Sequence, residues 1–358
     1  MQKAVFHKLL LSAIQQSASD IHLQVGYPPL LRVNGELLEV KYHALSPDET
    51  QAVVQEVLSQ SYREPDLETL RETDVSYSVE GQGRFRVNIF RQRGTFGVIL
   101  RFIPIEIKGF ADLNLPRILE QIASLRRGLV LVVGATGNGK STTLAAMVEY
   151  INNTRRSHIV TIEDPIEFLF RHKRAVISQR EVGTDTASFA DATTAAMRQD
   201  PDVIFIGEIR DPETAAVAFK ASETGHLVLA SLHTPDAVKA LDRLVGLFPP
   251  EQESGIRSRL ADSLMCVVAL RLLPRKGEAG RLPAVEILRV TRTIAECIRD
   301  SSKTHEIRDH MVKGTDMYGM QTFDQHLLEL VKENKIDIKV AKVAATNPET
   351  LDRALLLD

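Results

Sequence analysis

Residues 128–141 read Gly128-Leu129-Val130-Leu131-Val132-Val133-Gly134-Ala135-Thr136-Gly137-Asn138-Gly139-Lys140-Ser141, followed by TTLAAMVEYI over residues 142–151. The run GLVLVV predicts a buried strand, and the segment from Ser141 to Ile151 predicts a helix. Between them, Gly134 to Ser141 fits G-x-x-x-x-G-K-[ST], the loop that cradles nucleotide phosphates. Strand, glycine loop and helix in that order are what such a loop needs. Glycines let the backbone turn tightly and aim N–H groups at an anion, and the helix N-terminus adds partial positive charge. Lys140 is expected to reach the β- and γ-phosphates of ATP, and the Ser141 hydroxyl to bind Mg²⁺. Thr136, Gly137, Asn138, Gly139 and Thr142 complete the expected nucleotide contacts.

The chain has 358 residues, enough for two or three domains. Its 44% hydrophobic content supports a real core, and a net charge of −3 argues against a dedicated nucleic-acid binder. Cys266 and Cys297 lie in apolar surroundings and read as buried free thiols. No C-x-x-C pair exists, which speaks against a zinc ribbon or finger. Residues 1–20 read as an amphipathic helix without the apolar core of a signal peptide. No run of 18 apolar residues predicts a membrane span.

Working outward from the loop, residues 3–18 show helical periodicity through Val5, Leu9 and Ile14. Residues 19–25 alternate like a half-buried strand. Asn34-Gly35 predicts a hairpin turn. Ser46-Pro47 opens a helix, and VSYSV, RFRVNIF and FGVILRFI over 75–103 predict further strands. These elements predict a small α/β domain over 1–104 with a mostly antiparallel sheet. A proline-containing segment, 105–116, is expected to be a linker. From 117 to 290, buried strands at 128–133, 158–162, 203–207 and 227–231 alternate with helices, which implies a parallel sheet covered on both faces. Residues 291–358 read as helical.

Four further segments narrow the chemistry. The strand beginning at His158 ends in Glu163-Asp164-Pro165, and carboxylates beyond a strand's carboxyl end can hold Mg²⁺ through water or orient a nucleophile. The strand Asp202 to Ile206 ends in Gly207-Glu208, resembling a Walker B segment, with Glu208 placed to polarise the attacking water. Arg210 and Asp211 are expected to pair with each other. His226 and His233 flank one apolar strand; with no third ligand evident they do not read as metal ligands, and each is either a satisfied structural histidine or, on the sharper reading, a γ-phosphate sensor. Arg84, Arg86, Arg91, Arg93 and Arg101 follow one another with no acid between the first and last. They form either a solvated basic face or a source of arginine fingers for a neighbouring subunit.

Together these segments resemble the secretion ATPases, specifically their twitching-motility branch, the PilT/PilU-type ATPases. The resemblance is dense from Gly128 to Leu273, and extends through ASDIHLQVGYPPLLRVNGEL, GRFRVNIF and GMQTFDQHL (319–327). It implies a PAS-like N-terminal domain joined to a RecA-like P-loop ATPase domain with C-terminal helices. It also implies a homo-hexameric ring in the cytoplasm, peripheral to the inner membrane, acting on a PilC-like platform protein to retract a type IV pilus. Arg86 and Arg101 match family arginines that approach the neighbour's nucleotide. Glu208 matches the catalytic glutamate, Glu163 the carboxylate near Mg²⁺, and His226 and His233 the family's His box. One departure concerns the C-terminal AIRNLIRE motif of retraction ATPases. Here it aligns with Thr293-Ile294-Ala295-Glu296-Cys297-Ile298-Arg299-Asp300, of which only Ile294, Ile298 and Arg299 agree. FRHKRAVISQREVG and GMQTFDQHL look more like the accessory paralogue. The alternative to a primary motor is therefore a PilU-like ATPase working beside a second retraction ATPase. A more distant rival is a nucleic-acid translocase, disfavoured by the mild acidity and the absence of tryptophan. Extension and type II secretion ATPases usually carry a longer N-terminal region and a tetracysteine insert, which this chain lacks.

Overall fold

A computed structural model of the chain describes residues 1–16, 18–33, 35–60, 66–79, 82–103, 107–277 and 280–356. Asn34 of the expected hairpin turn, residue 104 at the end of the expected first domain, and residues 105 and 106 of the expected linker lie outside them. The chain divides into two compact units.

The first unit comprises Met1–Glu106 with Glu163–Phe170 and Arg180–Ser188. Its elements are α1 (Lys3–Gln15), β1 (Asp20–Leu23), β2 (Leu30–Val33), β3 (Glu36–Glu39), α2 (Pro47–Leu58), β4 (Glu72–Val79), β5 (Gly83–Gln92) and β6 (Thr95–Ile103). The strands form one antiparallel sheet in the order β3-β2-β1-β6-β5-β4. α1 buries Phe6, Leu9, Leu10 and Ala13, the i, i+3, i+4, i+7 stripe of an amphipathic helix. Its buried face is thus centred on Phe6 and Leu10, with Val5 and Ile14 only partly buried at its margins. α2 starts at a capping box: Ser46 accepts from the Glu49 N–H, and the Glu49 carboxylate accepts from the Ser46 N–H. In β5 the pleat sends Phe85, Val87 and Ile89 into the core and Arg86 outward.

Glu163–Phe170 and Arg180–Ser188 fall inside the stretch expected from sequence to belong wholly to the second domain. They group with the first unit because buried Glu181 holds them there. Its carboxylate accepts from Ser76 Oγ at 2.8 Å, Arg84 Nη2 at 2.7 Å and the Ile166 N–H at 2.9 Å. A carboxylate that is 2% exposed needs such donors to offset the loss of water.

The second unit adds α3 (Ile118–Ala123), β7 (Gly128–Val133), α4 (Lys140–Thr154), β8 (His158–Glu163), β9 (Val176–Glu181), α5 (Phe189–Ala196), β10 (Val203–Ile206), α6 (Pro212–Glu223), β11 (Leu227–Leu232), α7 (Ala237–Val245), α8 (Glu253–Ser263), β12 (Leu264–Pro274) and β13 (Arg281–Arg289). Then come α9 (Arg292–Arg299), a 3₁₀ turn (Ser301–Glu306), α10 (Ile307–Lys313), α11 (Thr315–Tyr318), α12 (Phe323–Lys332), α13 (Ile338–Ala344) and α14 (Pro348–Leu356). The sheet order is β13-β12-β7-β11-β10-β8-β9. β8, β10, β11, β7 and β12 run parallel, and β13 pairs antiparallel to β12 at one edge. All residues of β7, β10 and β11 are buried, as strands covered on both faces require. No helix among the described residues is long and apolar enough to cross a membrane.

The GMQTFDQHL segment acts here as a fastener. Gln321 exchanges backbone hydrogen bonds with Ile287 of β13, Thr322 and Gln325 form a capping box on α12, and His326 Nδ1 accepts the Val285 N–H at 2.9 Å. Cys266 and Cys297 are buried free thiols.

Candidate functional site

The register of the parallel strands decides which loops meet. Val133 of β7 pairs with Leu232 of β11, Ala230 of β11 with Ile206 of β10, and Ile206 with Ile162 of β8. The carboxyl ends of these strands therefore finish along one sheet edge. The phosphate-type loop leaves from β7, His233 follows β11, Gly207-Glu208 follows β10 and Glu163 ends β8. Open α/β sheets gather ligands outside such an edge.

The loop geometry depends on glycine at two points in particular. Gly134 has φ +154° and sits so close to β12 that a Cβ would lie 2.7 Å from the Leu270 carbonyl oxygen. Gly139 has φ +86° and is the N-cap of α4, with no side-chain cap hydrogen bond. By contrast, α6 and α7 are capped by Asp211 and Asp236. A helix whose first turn carries neither a side-chain cap nor an acidic residue leaves its N–H groups and positive dipole end to an anion. Lys140 is 7% exposed, and its ammonium donates to the Gly134 carbonyl at 3.0 Å and the Ala135 carbonyl at 3.2 Å. The lysine charge is thus held inside the loop's curve. These features fit a Mg²⁺–nucleoside phosphate, with Ser141 following Lys140 as the hydroxyl that would reach the metal.

His233 ties this loop to Glu208. Its Nδ1 lies 3.4 Å from both Lys140 Nζ and Thr136 Oγ1, and its Nε2 lies 3.4 Å from Glu208 Oε1. Lysine ammonium can only donate, so Nδ1 accepts and the proton sits on Nε2, facing Glu208. Glu208 is held from its other side by Arg210, Nε to Oε2 at 2.8 Å. Ser231 Oγ donates to the Gly207 carbonyl at 2.6 Å, and the Ile209 N–H donates to the Ser231 carbonyl at 3.0 Å. Those two bonds fix the turn that presents the glutamate.

Two expectations change. Arg210 pairs with Glu208, while the Asp211 carboxylate accepts from the Thr214 N–H and hydroxyl. His226, expected at the nucleotide, precedes Leu227, which is in register with Gly128 at the start of β7. It therefore stands at the opposite edge of the sheet, about 20 Å of strand away from His233. There its Nδ1 lies 2.9 Å from the Ala221 carbonyl and 3.2 Å from Thr224 Oγ1. Of these two histidines, it is His233 that meets the loop.

Beside the loop opens a cleft of about 340 Å³, lined in part by Asn138, Gly139, Thr142, Asn114, Leu272 and Arg275. Asn138 Oδ1 accepts the Leu272 N–H at 3.3 Å, which joins the loop to β12. Sequence reading did not place β12 or residues 112–115 here. The apolar run from Leu264 to Leu270 is the available signal.

In the first unit, Glu163 is 4% exposed and accepts the Glu167 N–H at 3.3 Å. Arg86 and Arg101 line a second cavity together with Asp20, Asp74 and Asn88. Arg101 Nε is 2.8 Å from Asp20 Oδ1, and Arg86 Nε is 3.7 Å from Asp74 Oδ1. Burial pushes the Asp20 carboxyl up, but the Ser19 hydroxyl and Arg101 together hold it below its ordinary value. Arg84 is committed to Glu181, and Arg91 to the Leu67 and Leu70 carbonyls and the face of Phe96. Arg84 and Arg91 are thus structural members of the arginine row, whereas Arg86 and Arg101 share one cavity.

A sequence profile described as type II/IV secretion system protein matches residues 1–354. The chain is 41% identical over 342 residues to the type IV pilus retraction ATPase PilT of Pseudomonas aeruginosa, covering 96% of this chain and 98% of that one. It is 40% identical over 346 residues to the type IV pilus ATPase PilU of the same organism, covering 97% of this chain and 90% of that one. Among solved structures, that of the pilus retraction motor PilT with bound ADP matches with a TM-score of 0.86 at 42% identity, covering 97% of this chain and 98% of that one.

Proposed function

The chain belongs to the type II/IV secretion system protein family as a PilT/PilU-type ATPase, and on that premise we propose that it hydrolyses ATP in a homo-hexameric ring to power retraction of a type IV pilus. The observation that carries this reading is His233, which reaches the phosphate loop with one ring nitrogen and Glu208 with the other. A histidine so placed can report the state of the phosphates to the residue that orients water.

In this reading ATP binds with its phosphates on the 134–141 loop, and Lys140 turns from the loop carbonyls to the β- and γ-phosphates. Ser141, with Glu163 through water, would hold Mg²⁺, which would supply neutralising charge to the phosphates. Glu208 orients the attacking water. Arg86 and Arg101 come from the neighbouring subunit and offset charge that develops in the transition state. Loss of the γ-phosphate removes what holds that interface closed, and sequential closure around the ring moves a central partner. That partner is an inner-membrane platform protein, with the motor cytoplasmic and peripheral to the membrane.

A second reading is favoured by the near-equal identity to PilU and by the departures in α9 from the retraction motif. In that case the chain is an accessory motor beside a second retraction ATPase. Steady-state ATP hydrolysis against protein concentration, for wild type and Glu208→Gln, tests both. Turnover that rises cooperatively and vanishes in the variant supports a self-sufficient ring motor. Binding of ATP without turnover until a second retraction ATPase is added supports the accessory role. Absence of both turnover and ATP binding would overturn the proposal.

A further inference from the structure

Cys297, Glu306 and His310 bring a thiol sulfur, a carboxylate oxygen and an imidazole nitrogen to within 4.8 Å of one another. Among the described residues this is the one place where three metal-ligating groups of these kinds converge. They lie on successive elements. Cys297 sits on the inner face of α9, Glu306 ends the following 3₁₀ turn, and His310 is four residues further on in α10. The sulfur forms the floor, as Cys297 is 2% exposed, while Glu306 and His310 are half-buried and leave a path from solvent.

Glu306 and His310 are i, i+4 neighbours with Oε2 and Nε2 3.8 Å apart, a spacing common on helix surfaces and sufficient to explain two of the three groups. It does not explain a thiol facing both. We propose that these three side chains form a zinc site, with water at the fourth position. The donor set selects the metal: thiolate and imidazole disfavour Mg²⁺ and Ca²⁺, whereas Zn²⁺ accepts sulfur, nitrogen and oxygen together. Tetrahedral zinc holds such donor atoms about 3.5 Å apart. Rotation of the two partly exposed side chains by about 1 Å closes the present spacing to that value. Cys297 binds as the thiolate, and its proton passes to solvent. The ion ties α9 to α10 across the 3₁₀ turn. That is the segment in which the sequence departs from the retraction motif, with cysteine where the motif has leucine.

The test is a titration of nucleotide-free protein with Co²⁺, then Zn²⁺, followed by absorbance. A thiolate-to-cobalt charge-transfer band should rise in the near ultraviolet, saturate at one ion per chain and be displaced by Zn²⁺. It should persist in Cys266→Ala, vanish in Cys297→Ala, and need about tenfold more cobalt or worse in Glu306→Gln and His310→Gln. These last two positions are partly exposed, so their variants should fold even if Cys297→Ala does not. No band in the wild type overturns the proposal, as does a band unchanged in both surface variants. Because the phosphate loop contains no cysteine, this signal is independent of whether the chain turns over ATP.

Discussion

Arg86 and Arg101 stand directly opposite each other on β5 and β6. Like charges in that position oppose each other and contribute nothing to folding by themselves. Asp20 and Asp74 flank them, Asp20 at hydrogen-bond distance and Asp74 more loosely. A fold does not require two arginines there, which makes a catalytic role testable apart from stability. Arg86→Ala should lower ATP turnover by about 10³-fold or more, the usual effect of losing an arginine finger. Its folding stability should stay within about 0.5 kcal/mol of wild type. Near-normal turnover, measured by phosphate release, would remove Arg86 from the mechanism.

His233 touches both the loop and Glu208, so its loss should act on chemistry more than on binding. His233→Gln is expected to slow turnover by about 10²-fold. Affinity for a fluorescent ATP analogue should change only a few-fold. His226→Gln, altered at the opposite sheet edge, should not reproduce that turnover loss in single-turnover assays of assembled protein. Equal losses in the two variants would count against His233 as the link between loop and glutamate.

Glu181 is a buried carboxylate holding a strand arginine, a strand serine and a loop N–H. Glu181→Ala leaves Arg84 without that partner and should cost about 3–5 kcal/mol in denaturant unfolding. In a double-mutant cycle, Arg84→Met combined with Glu181→Leu should recover much of that loss. Strictly additive effects would show that the pair is not coupled.

The His326 ring should set part of the acid sensitivity. Burial lowers its pKa to about 4, against an ordinary 6.5, and its Nδ1 must stay unprotonated to accept the Val285 N–H. The unfolded chain thus binds a proton first as pH falls. The contribution of His326 is full above about 6.5 and is lost progressively between 6.5 and about 4. His326→Asn should flatten the melting-temperature profile across that window while lowering stability at pH 7. An unchanged profile would mean that other groups govern it.

Much of the second unit's sheet was legible because β7, β10 and β11 are fully apolar and end in chemically distinctive residues. His226 and His233 look alike in sequence because they flank one strand symmetrically. Only the strand's direction in a parallel sheet separates them, and that direction places the useful one at the carboxyl end. β12 is not evident in the sequence because its apolar run from Leu264 to Leu270 cannot be told from a buried helix by periodicity. The role of Glu181 was invisible for a different reason. Its partners Arg84 and Ser76 lie 97 and 105 positions away, and no local pattern announces so distant a bond. The GMQTFDQHL segment was recognised by likeness, whereas its capping box and its bonds to β13 supply the physical reason for it.

The placement of 163–170 and 180–188 in the first unit carries a consequence for how this protein can be divided. The backbone passes between the units at 106/107, 162/163, 170/171, 179/180 and 188/189. A gene fragment ending near codon 104 would encode the antiparallel sheet without the acid that neutralises Arg84. A shuffled or recombined chain would have to inherit both distant insertions along with that sheet. Exchange between related motors should therefore fail with junctions drawn at the proline-containing segment, which part Arg84 from Glu181.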